Sequence, residues 1–251
     1  MSLRPFILCL CALALLAGCS SPPVKKAVHG EDFSSGQLLQ SDANRAANLA
    51  MRDNLESLSL LLDKLYKRNP QQWKKTGAAN RQEAHQAVME AIREDRPLLG
   101  LEGRKSVAAL PLAFAPSYRG DRAGALVYGL GSMLIQLYGG RTTLHLLNGL
   151  DPQKTANAAW NIEVAAWLLA SRTDERGEPL LLSNEISDQG RNLSFEREFG
   201  RMIGRLELLA QMNHENLRRS GINYVQGILA APIIGLVQFI PLDAASAAAA
   251  Q

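Results

Sequence analysis

The chain has 251 residues, of which 47% are hydrophobic, 20% are charged and 6% are aromatic. A chain of this length can bury an apolar core large enough to hold a domain without disulfides. The formal net charge is only +3, and the sequence has no basic patch that favours nucleic acid as a partner.

The first eighteen residues have the pattern of a secretory signal. Arg4 supplies one positive charge, and the apolar residues 6–18 that follow are too few to span a bilayer as a stable helix. The stretch ends in Leu16-Ala17-Gly18-Cys19, which resembles the lipobox of bacterial lipoproteins. The resemblance implies that residues 1–18 are removed, that the Cys19 sulfur carries diacylglycerol, and that the new amine is acylated, for example with palmitate. The alternative is an ordinary signal peptide with a chance cysteine.

The lipid would fix where the protein is found. In such lipoproteins the residue after the cysteine directs sorting, and here it is Ser20 rather than aspartate. The resemblance therefore implies the outer membrane, with the domain on the periplasmic face. Two or three acyl chains make release negligible, since each buried methylene contributes about 0.8 kcal/mol. Cys9 and Cys11 leave with the signal, so neither a free thiol nor a disulfide is expected in the mature chain.

The mature chain divides by composition into three parts. Residues 19–40 combine the lipidated cysteine with a flexible tether rich in Ser, Pro, Gly and charge, which has too little apolar surface to fold. Residues 243–251 are a low-complexity tail of small residues. Residues 41–242 between them are predicted to form one helical domain, because helical periodicity dominates and no repeat of fixed length occurs.

Four segments of the domain have the apolar period of amphipathic helices. Three begin at side chains that can cap a first turn. These caps are Ser41 or Asp42, Asn80 with Glu83 in capping-box spacing, and Asp151 followed by Pro152. The fourth helix places apolar residues from Phe195 to Leu217 on one narrow arc and is predicted to stop at Gly221. Residues 106–116 and 142–148 could be short extended pieces, and the predicted fold class is all-α.

Two glycine-containing segments, residues 124–140 and 224–242, are apolar on every side. They are predicted to be two central helices of a helical bundle. The alternative is that one or both contact lipid or enter an apolar groove of a partner. A membrane-spanning helix at residues 224–242 is weakly supported, because the segment is just under the needed length and contains Pro232.

One carboxylate shares a predicted helix face with two indoles. Ala156, Trp160, Glu163 and Trp167 follow the spacing i, i+4, i+7, i+11, so the face is predicted to be buried or to line a pocket. Burial would require a partner for Glu163, such as Arg141 or an indole N–H. The alternatives are a ligand-contacting or catalytic carboxylate, or a face exposed to solvent.

Other polar residues interrupt apolar faces or gather charge. Asn213 falls in the centre of the apolar arc of the fourth helix, where its amide needs hydrogen-bond partners. Asn48 and Asn54 border the apolar face of the first helix, and such residues could together line a polar cavity. Residues 64–75 gather five basic side chains around Tyr66 and Trp73, which suits either a charged helix end or an anionic lipid surface.

Signatures of catalysis are missing from the sequence. It contains no G-x-S-x-G, S-x-x-K or H-E-x-x-H motif and no phosphate-binding G-x-x-x-x-G-K. The histidines at 29, 85, 145 and 214 lack metal-ligand spacing. We therefore expect no metal and no cofactor other than the covalent lipid on Cys19, and we leave enzymatic activity open while favouring its absence.

Three functions remain. The first is a noncatalytic outer-membrane lipoprotein that acts through an envelope protein partner in cell-envelope assembly or maintenance. The second is a binding or carrier module for a lipid or another small apolar ligand, with the glycine-containing segments lining its cavity and Glu163 at the mouth. The third is an envelope hydrolase that uses Glu163 with His145 or His214, which requires these groups within hydrogen-bond reach of one another.

Overall fold

The structure is a computed structural model that describes residues 41–144, 149–187 and 190–238, with side chains for all of these except 186, 187, 221, 223 and 227–238. The described residues belong to one compact unit, Gly36–Gln251. Their helices are α1 (Asp42–Arg68), α2 (Pro70–Lys74), α3 (Arg81–Arg93), α4 (Leu110–Phe114), α5 (Arg122–Leu137), α6 (Pro152–Ser171) and α7 (Ser194–Gln238). A 3₁₀ turn, Ser106–Ala108, precedes α4, and an antiparallel hairpin of β1 (Glu185–Ser187) and β2 (Gly190–Asn192) precedes α7. The predicted all-α fold class is confirmed.

Helices α1, α3 and α6 begin at the predicted caps. Ser41 Oγ accepts a hydrogen bond from Asn44 N at 3.2 Å, and Asp151 Oδ1 accepts one from Lys154 N at 2.7 Å. Asn80 Oδ1 accepts from Glu83 N at 2.9 Å, while Glu83 Oε2 accepts from the backbone of Ala79 rather than from the cap residue itself. These starts are local, because a side chain and an amide three residues away satisfy each other without tertiary contacts.

Helix α5 is the central element of the domain. It packs against α1, α3, α4 and α6, and every residue from Arg122 to Ile135 is buried. Its glycines let neighbours approach closely, since a Cβ at Gly129 would lie 2.7 Å from Leu110 Cδ2 and one at Gly131 would lie 2.6 Å from Ile92 Cδ1. The first of the two predicted central helices is therefore confirmed.

Helix α7 differs from the prediction in its length. The expected stop at Gly221 is wrong, because the helix continues through it to Gln238. A glycine inside a helix costs only about 1 kcal/mol relative to alanine, so it ends a helix only where the chain also turns. The second apolar segment is thus the end of α7 and not a separate helix. Tyr224, at its start, is 73% exposed. The side chains of residues 227–238 and all of residues 239–242 lie outside the described part of the chain, so the central position of this segment stays a prediction.

Beyond Ala210, the described side chains of α7 are no longer buried in the body of the domain. The predicted apolar arc is buried from Phe195 to Leu209, apart from the half-buried Ile203, but Leu217 is 63% exposed. Ala210 is the last buried residue among the described side chains of α7. The apolar arc of α7 therefore extends further along the helix than the part of the domain that buries it.

Helices α1 and α7 run antiparallel. Lys64 Nζ donates to Ser194 O at 2.9 Å near the start of α7. Further along, Arg205 Nη1 donates to Asp53 O at 3.2 Å and to Asn54 Oδ1 at 3.1 Å. Residue numbers thus fall along α1 as they rise along α7, and the N-terminal end of α1 lies beside the point where α7 leaves the body.

The segments that connect the main helices also differ from the sequence-based expectation. Residues 106–108 and 110–114 are helical and not extended, because the proline at 111 occupies a first-turn position that needs no amide donor. In the other proposed extended piece, residues 145–148 lie outside the described chain. The β1–β2 hairpin was not expected, since its three-residue strands carry no alternating apolar pattern.

Candidate functional site

The face of α6 that carries Trp160, Glu163 and Trp167 points to solvent. Each tryptophan is 63% exposed, and Glu163 is exposed as well. The prediction of a buried or pocket-lining face is therefore wrong. The core side of α6 is formed instead by small and aliphatic residues, which are Ala158, Ala159, Ile162, Ala165, Ala166 and Leu169. An alanine-rich face lets α6 lie close to α7, its most extensive neighbour, and leaves no room for indoles between the two helices.

In the described part of the chain, Glu163 meets neither of its proposed acid–base partners. Among the described residues it has no hydrogen-bond or ion-pair partner, so neither Arg141 nor an indole N–H holds it. His214 is exposed on α7 and is not hydrogen-bonded to Glu163, and His145 lies outside the described chain. Nothing described therefore assembles the proposed acid–base pair of a hydrolase.

Asn213 is half-buried where α7 leaves the body. Its Nδ2 is buried and has no hydrogen-bond partner among the described residues. A buried amide donor without a partner costs about 1–3 kcal/mol, so the expected partners that would fix helix register are not present on α1 or α6. The structure does not bring Asn213 into hydrogen-bond contact with Glu163.

The two asparagines of α1 act as connectors and do not line a shared cavity. Asn48 receives a hydrogen bond from Leu144 N at 2.7 Å and donates to Leu144 O at 3.1 Å. Asn54 accepts from Arg205 of α7. Each therefore joins α1 to a different part of the chain, because a buried amide needs hydrogen-bond partners and takes them from the backbone or side chains packed against it.

The basic cluster of residues 64–75 is largely engaged within the domain. Lys67 pairs with Asp63 at 2.6 Å, and Arg68 pairs with Glu185 of β1 at 3.0 Å. Tyr66, at its centre, is fully buried. This arrangement matches a charged helix end better than a surface for anionic lipid.

A cavity of about 360 Å³ that sequence reasoning missed lies between α3 and the start of α5. Its apolar side is lined by Ala84, Ala87, Val88, Leu98 and Leu99, and its polar side by Lys75, Glu83, Tyr118 and Asp121. Leu99 is almost fully exposed at its edge. The volume lies in the range of small-molecule sites.

Asp121 lines this cavity and joins two helices beside it. It caps α5 by accepting from Gly124 N at 2.9 Å, and its other oxygen accepts from the Tyr66 hydroxyl. Burial raises the pKa of the Asp121 carboxyl above its usual 3.8, and burial raises the pKa of Tyr66 as well. The sequence gives one local indication of the capping role, which is the position of Asp121 directly before an apolar helix. Its contact with Tyr66, which lies fifty-five positions earlier, forms only in the folded domain.

Lys75 forms the other polar wall of the cavity. Its Nζ donates to Gly120 O at 3.2 Å and to Gln72 Oε1 at 3.1 Å, and burial lowers its pKa. These bonds, with those of Asp121, satisfy the polar groups internally. The cavity therefore offers an apolar wall with a polar end, and no nucleophile activated by a base.

A serine and a histidine also meet, on the surface between α1 and α3. His85 Nε2 lies 2.9 Å from Ser59 O and 3.2 Å from Ser59 Oγ. A carbonyl oxygen can only accept, so the shorter contact requires a proton on Nε2. That nitrogen then cannot take the hydroxyl proton, and the pair is not a nucleophile with its base.

Within residues 41–144, 149–187 and 190–238, no three His, Cys, Asp or Glu side chains are grouped to hold a metal ion. No helix in the same ranges has the length and hydropathy needed to cross a bilayer. The chain matches no protein-family model, no curated protein and no solved structure. In the described part of the chain, the candidate sites are the surface of α6 that carries the exposed tryptophans and the cavity beside α5.

Proposed function

We propose that this protein is a lipid-anchored lipoprotein of the outer membrane that faces the periplasm and acts, without catalysis, through protein contacts in cell-envelope assembly or maintenance. The lipobox ending in Cys19, followed by Ser20, supports the anchor and its location. The observation that carries the contact role is the outward placement of Trp160 and Trp167 on α6. We name the surface formed by Trp160, Glu163 and Trp167 the tryptophan face.

Two exposed indoles on one helix suit a protein interface. The two residues are seven positions apart, which places them about 10 Å apart along the helix axis. Tryptophan is enriched among the residues that contribute most to protein association, because it buries a large area and loses few rotamers. The carboxylate of Glu163 between them would favour a basic group on the partner. The tryptophan face thus predicts a partner with two apolar pockets flanking a cation.

Site-directed photocrosslinking tests the anchor and the contact together. A photoreactive amino acid replaces Trp160 or Trp167 in living cells, in the otherwise native chain and in a Cys19→Ser version. We expect one discrete adduct from each position in the outer-membrane fraction. The Cys19→Ser chain should lose membrane association, because no acyl chains remain to bury. A matched control places the same group at Gln86, an exposed position on α3, and should give no adduct.

Two results would contradict the proposal. Equal adducts from Gln86 and from the tryptophan face would show that contact is not specific to α6. A Cys19→Ser chain that fractionates with the outer membrane as fully as the parent does would remove the anchor. Mass spectrometry of the native protein provides an independent check, since the proposal requires a chain that starts at a lipidated Cys19.

The cavity beside α5 favours a second candidate function, the binding of a small apolar ligand. Its apolar wall and its volume of about 360 Å³ suit such a ligand. The site differs from the predicted one, because residues 122–135 of α5 are buried in the core and none of them lines this cavity. We rank this function second because Asp121 and Lys75 already have hydrogen-bond partners within the protein.

A further inference from the structure

The cavity between α3 and the start of α5 has two chemically different sides. Its apolar wall includes Ala84, Ala87 and Val88, which follow the spacing i, i+3, i+4 on one face of α3. Two of these three side chains are alanines, which leave the space of about 360 Å³ open where larger side chains would fill it. Leu99 lies at the edge of the cavity and is 96% exposed. A ligand with an apolar tail would remove these surfaces from water, which is favourable.

Lys75 forms the polar end of the cavity and keeps one hydrogen-bond donor beyond its internal bonds. An ammonium group has three N–H donors. Two of them are used by Gly120 O at 3.2 Å and by Gln72 Oε1 at 3.1 Å. Among the described residues, no carboxylate lies within ion-pair distance of Lys75. The third donor and the positive charge are therefore available to an anion.

The charged groups around Lys75 favour a negative ligand over a positive one. Burial lowers the pKa of the Lys75 ammonium, and the guanidinium groups of Arg122 and Arg119 act in the same direction, against the carboxyl of Asp121. Arg122 Nη1 donates to Ala113 O at 2.9 Å. Neither arginine has a carboxylate partner in the described part of the chain. Three cations thus lie within electrostatic range of one another, so an anion beside them gains electrostatic energy.

The two carboxylates that line the cavity are engaged within the protein. Asp121 Oδ1 accepts from Gly124 N at 2.9 Å, and its other oxygen accepts from a buried tyrosine hydroxyl. Glu83 Oε2 accepts from Ala79 N at 2.9 Å at the start of α3. Carboxylates in these positions serve the amides at helix starts. The polar group left for a ligand is therefore the ammonium of Lys75.

We propose that this cavity binds an amphiphile with one anionic head group and a short apolar tail, of the class of medium-chain carboxylates. The ammonium of Lys75 holds the head group, and the tail lies along α3 and beneath Leu99. The inference rests on the second function proposed above, the binding of a small apolar ligand, and adds the charge of that ligand. The cavity volume keeps the tail short, because it is near the lower limit of small-molecule sites.

Nuclear magnetic resonance titration with three ligands of equal tail tests the charge preference. The protein is residues 19–251 with Cys19→Ser, so that no acyl chain of its own competes for the cavity. The ligands are octanoate, octanol and octylammonium, and amide signals of the cavity residues report binding. We expect octanoate to bind about fivefold more tightly than octanol, because a charge-assisted hydrogen bond forms with Lys75. Octylammonium should bind more weakly than octanol.

Matched variants assign the head group and the tail to their sides of the cavity. Lys75→Gln keeps a donor for Gly120 O but removes the charge, so octanoate should bind about fivefold more weakly while octanol binds as before. Lys74→Gln removes the same charge one position away, outside the cavity lining, and should change neither affinity. Leu99→Ser should weaken octanoate and octanol alike by at least about threefold, because each loses apolar contact. Val107→Ser alters another exposed apolar residue and should weaken neither.

Each other outcome would overturn the proposal. Equal affinity of octanoate and octanol for the parent would leave the apolar-ligand function in place and remove the anionic head group. No change in the cavity signals with any of the three ligands would remove both. Equal loss of octanoate and octanol in Lys75→Gln would mean that Lys75 only supports the structure. An equal effect of Lys74→Gln and Lys75→Gln on octanoate would assign the preference to general surface charge.

Discussion

Asp121 shows how one residue can serve two elements. Its carboxylate caps α5 through Gly124 N and accepts from the Tyr66 hydroxyl of α1. Because burial raises the pKa of this carboxyl above 3.8, the folded chain holds the proton more tightly than the unfolded chain does. The residue thus ties the stability of the α1–α5 contact to pH.

The sign of that dependence gives a prediction for Asp121→Asn. The protonated aspartic acid is favoured in the fold, so its stabilising contribution is present below about pH 4 and is lost as pH rises through the raised pKa. Asparagine keeps a capping oxygen and cannot ionise. We therefore expect the free energy of unfolding of Asp121→Asn to increase relative to that of the parent as pH rises from about 4 to 7. Urea unfolding at several pH values measures this, and parallel curves for the two proteins would contradict it.

Trp160, Glu163 and Trp167 show what spacing decides at the level of residues. The interval of three and four positions correctly placed them on one face of α6. It could not say which way that face points, because alanine and tryptophan both qualify as apolar. The alanine face of α6 is buried because α7 lies close to it, and only small side chains fit between the two helices. Side-chain size, and not hydrophobicity, therefore decides which face of α6 is buried.

Among the elements, α5 and α7 use glycine in opposite ways. Gly131 lies in the buried centre of α5, where a Cβ would meet three atoms of Ile92 at 2.6–2.8 Å. Gly204 lies on the exposed side of α7, where nothing stands within 4 Å of the position that a Cβ would take. The first glycine permits packing between helices, and the second has no such role within the described chain.

Alanine at each glycine tests this difference. Gly131→Ala should lower the free energy of unfolding by about 1–3 kcal/mol, because the added methyl overpacks the core. Gly204→Ala should raise it by about 0.5–1 kcal/mol through helix propensity. Urea unfolding followed by far-UV circular dichroism gives both values, and each variant serves as the control for the other. Stabilisation by both would mean that Ile92 moves aside without cost.

For the whole molecule, we expect the packed body and the end of α7 to be separable. The last buried described side chain of α7 is Ala210, and the described side chains that follow it are exposed or half-buried. A chain that ends at Ser220 should therefore keep its melting temperature within about 3 °C of the parent.

Thermal melting by circular dichroism measures this melting temperature, with Gly204→Ala as a reference for a small upward shift. A loss of cooperative unfolding in the shortened chain would contradict it. That result would mean that residues 221–251 contribute to the packing of the domain.

The sequence by itself determined the helical class, the capped starts at Ser41, Asn80 and Asp151, and the central position of the first apolar segment, which forms α5. Each depends on interactions within a few positions of one another or on the overall hydrophobicity of one segment. The lipobox prediction at Cys19 is equally local. Only the tertiary structure decided that the tryptophan face points outward, that Asp121 meets Tyr66, and that α7 continues through Gly221 to Gln238. Those outcomes depend on which helix lies beside which, and contacts between residues more than fifty positions apart leave no periodic trace in the chain.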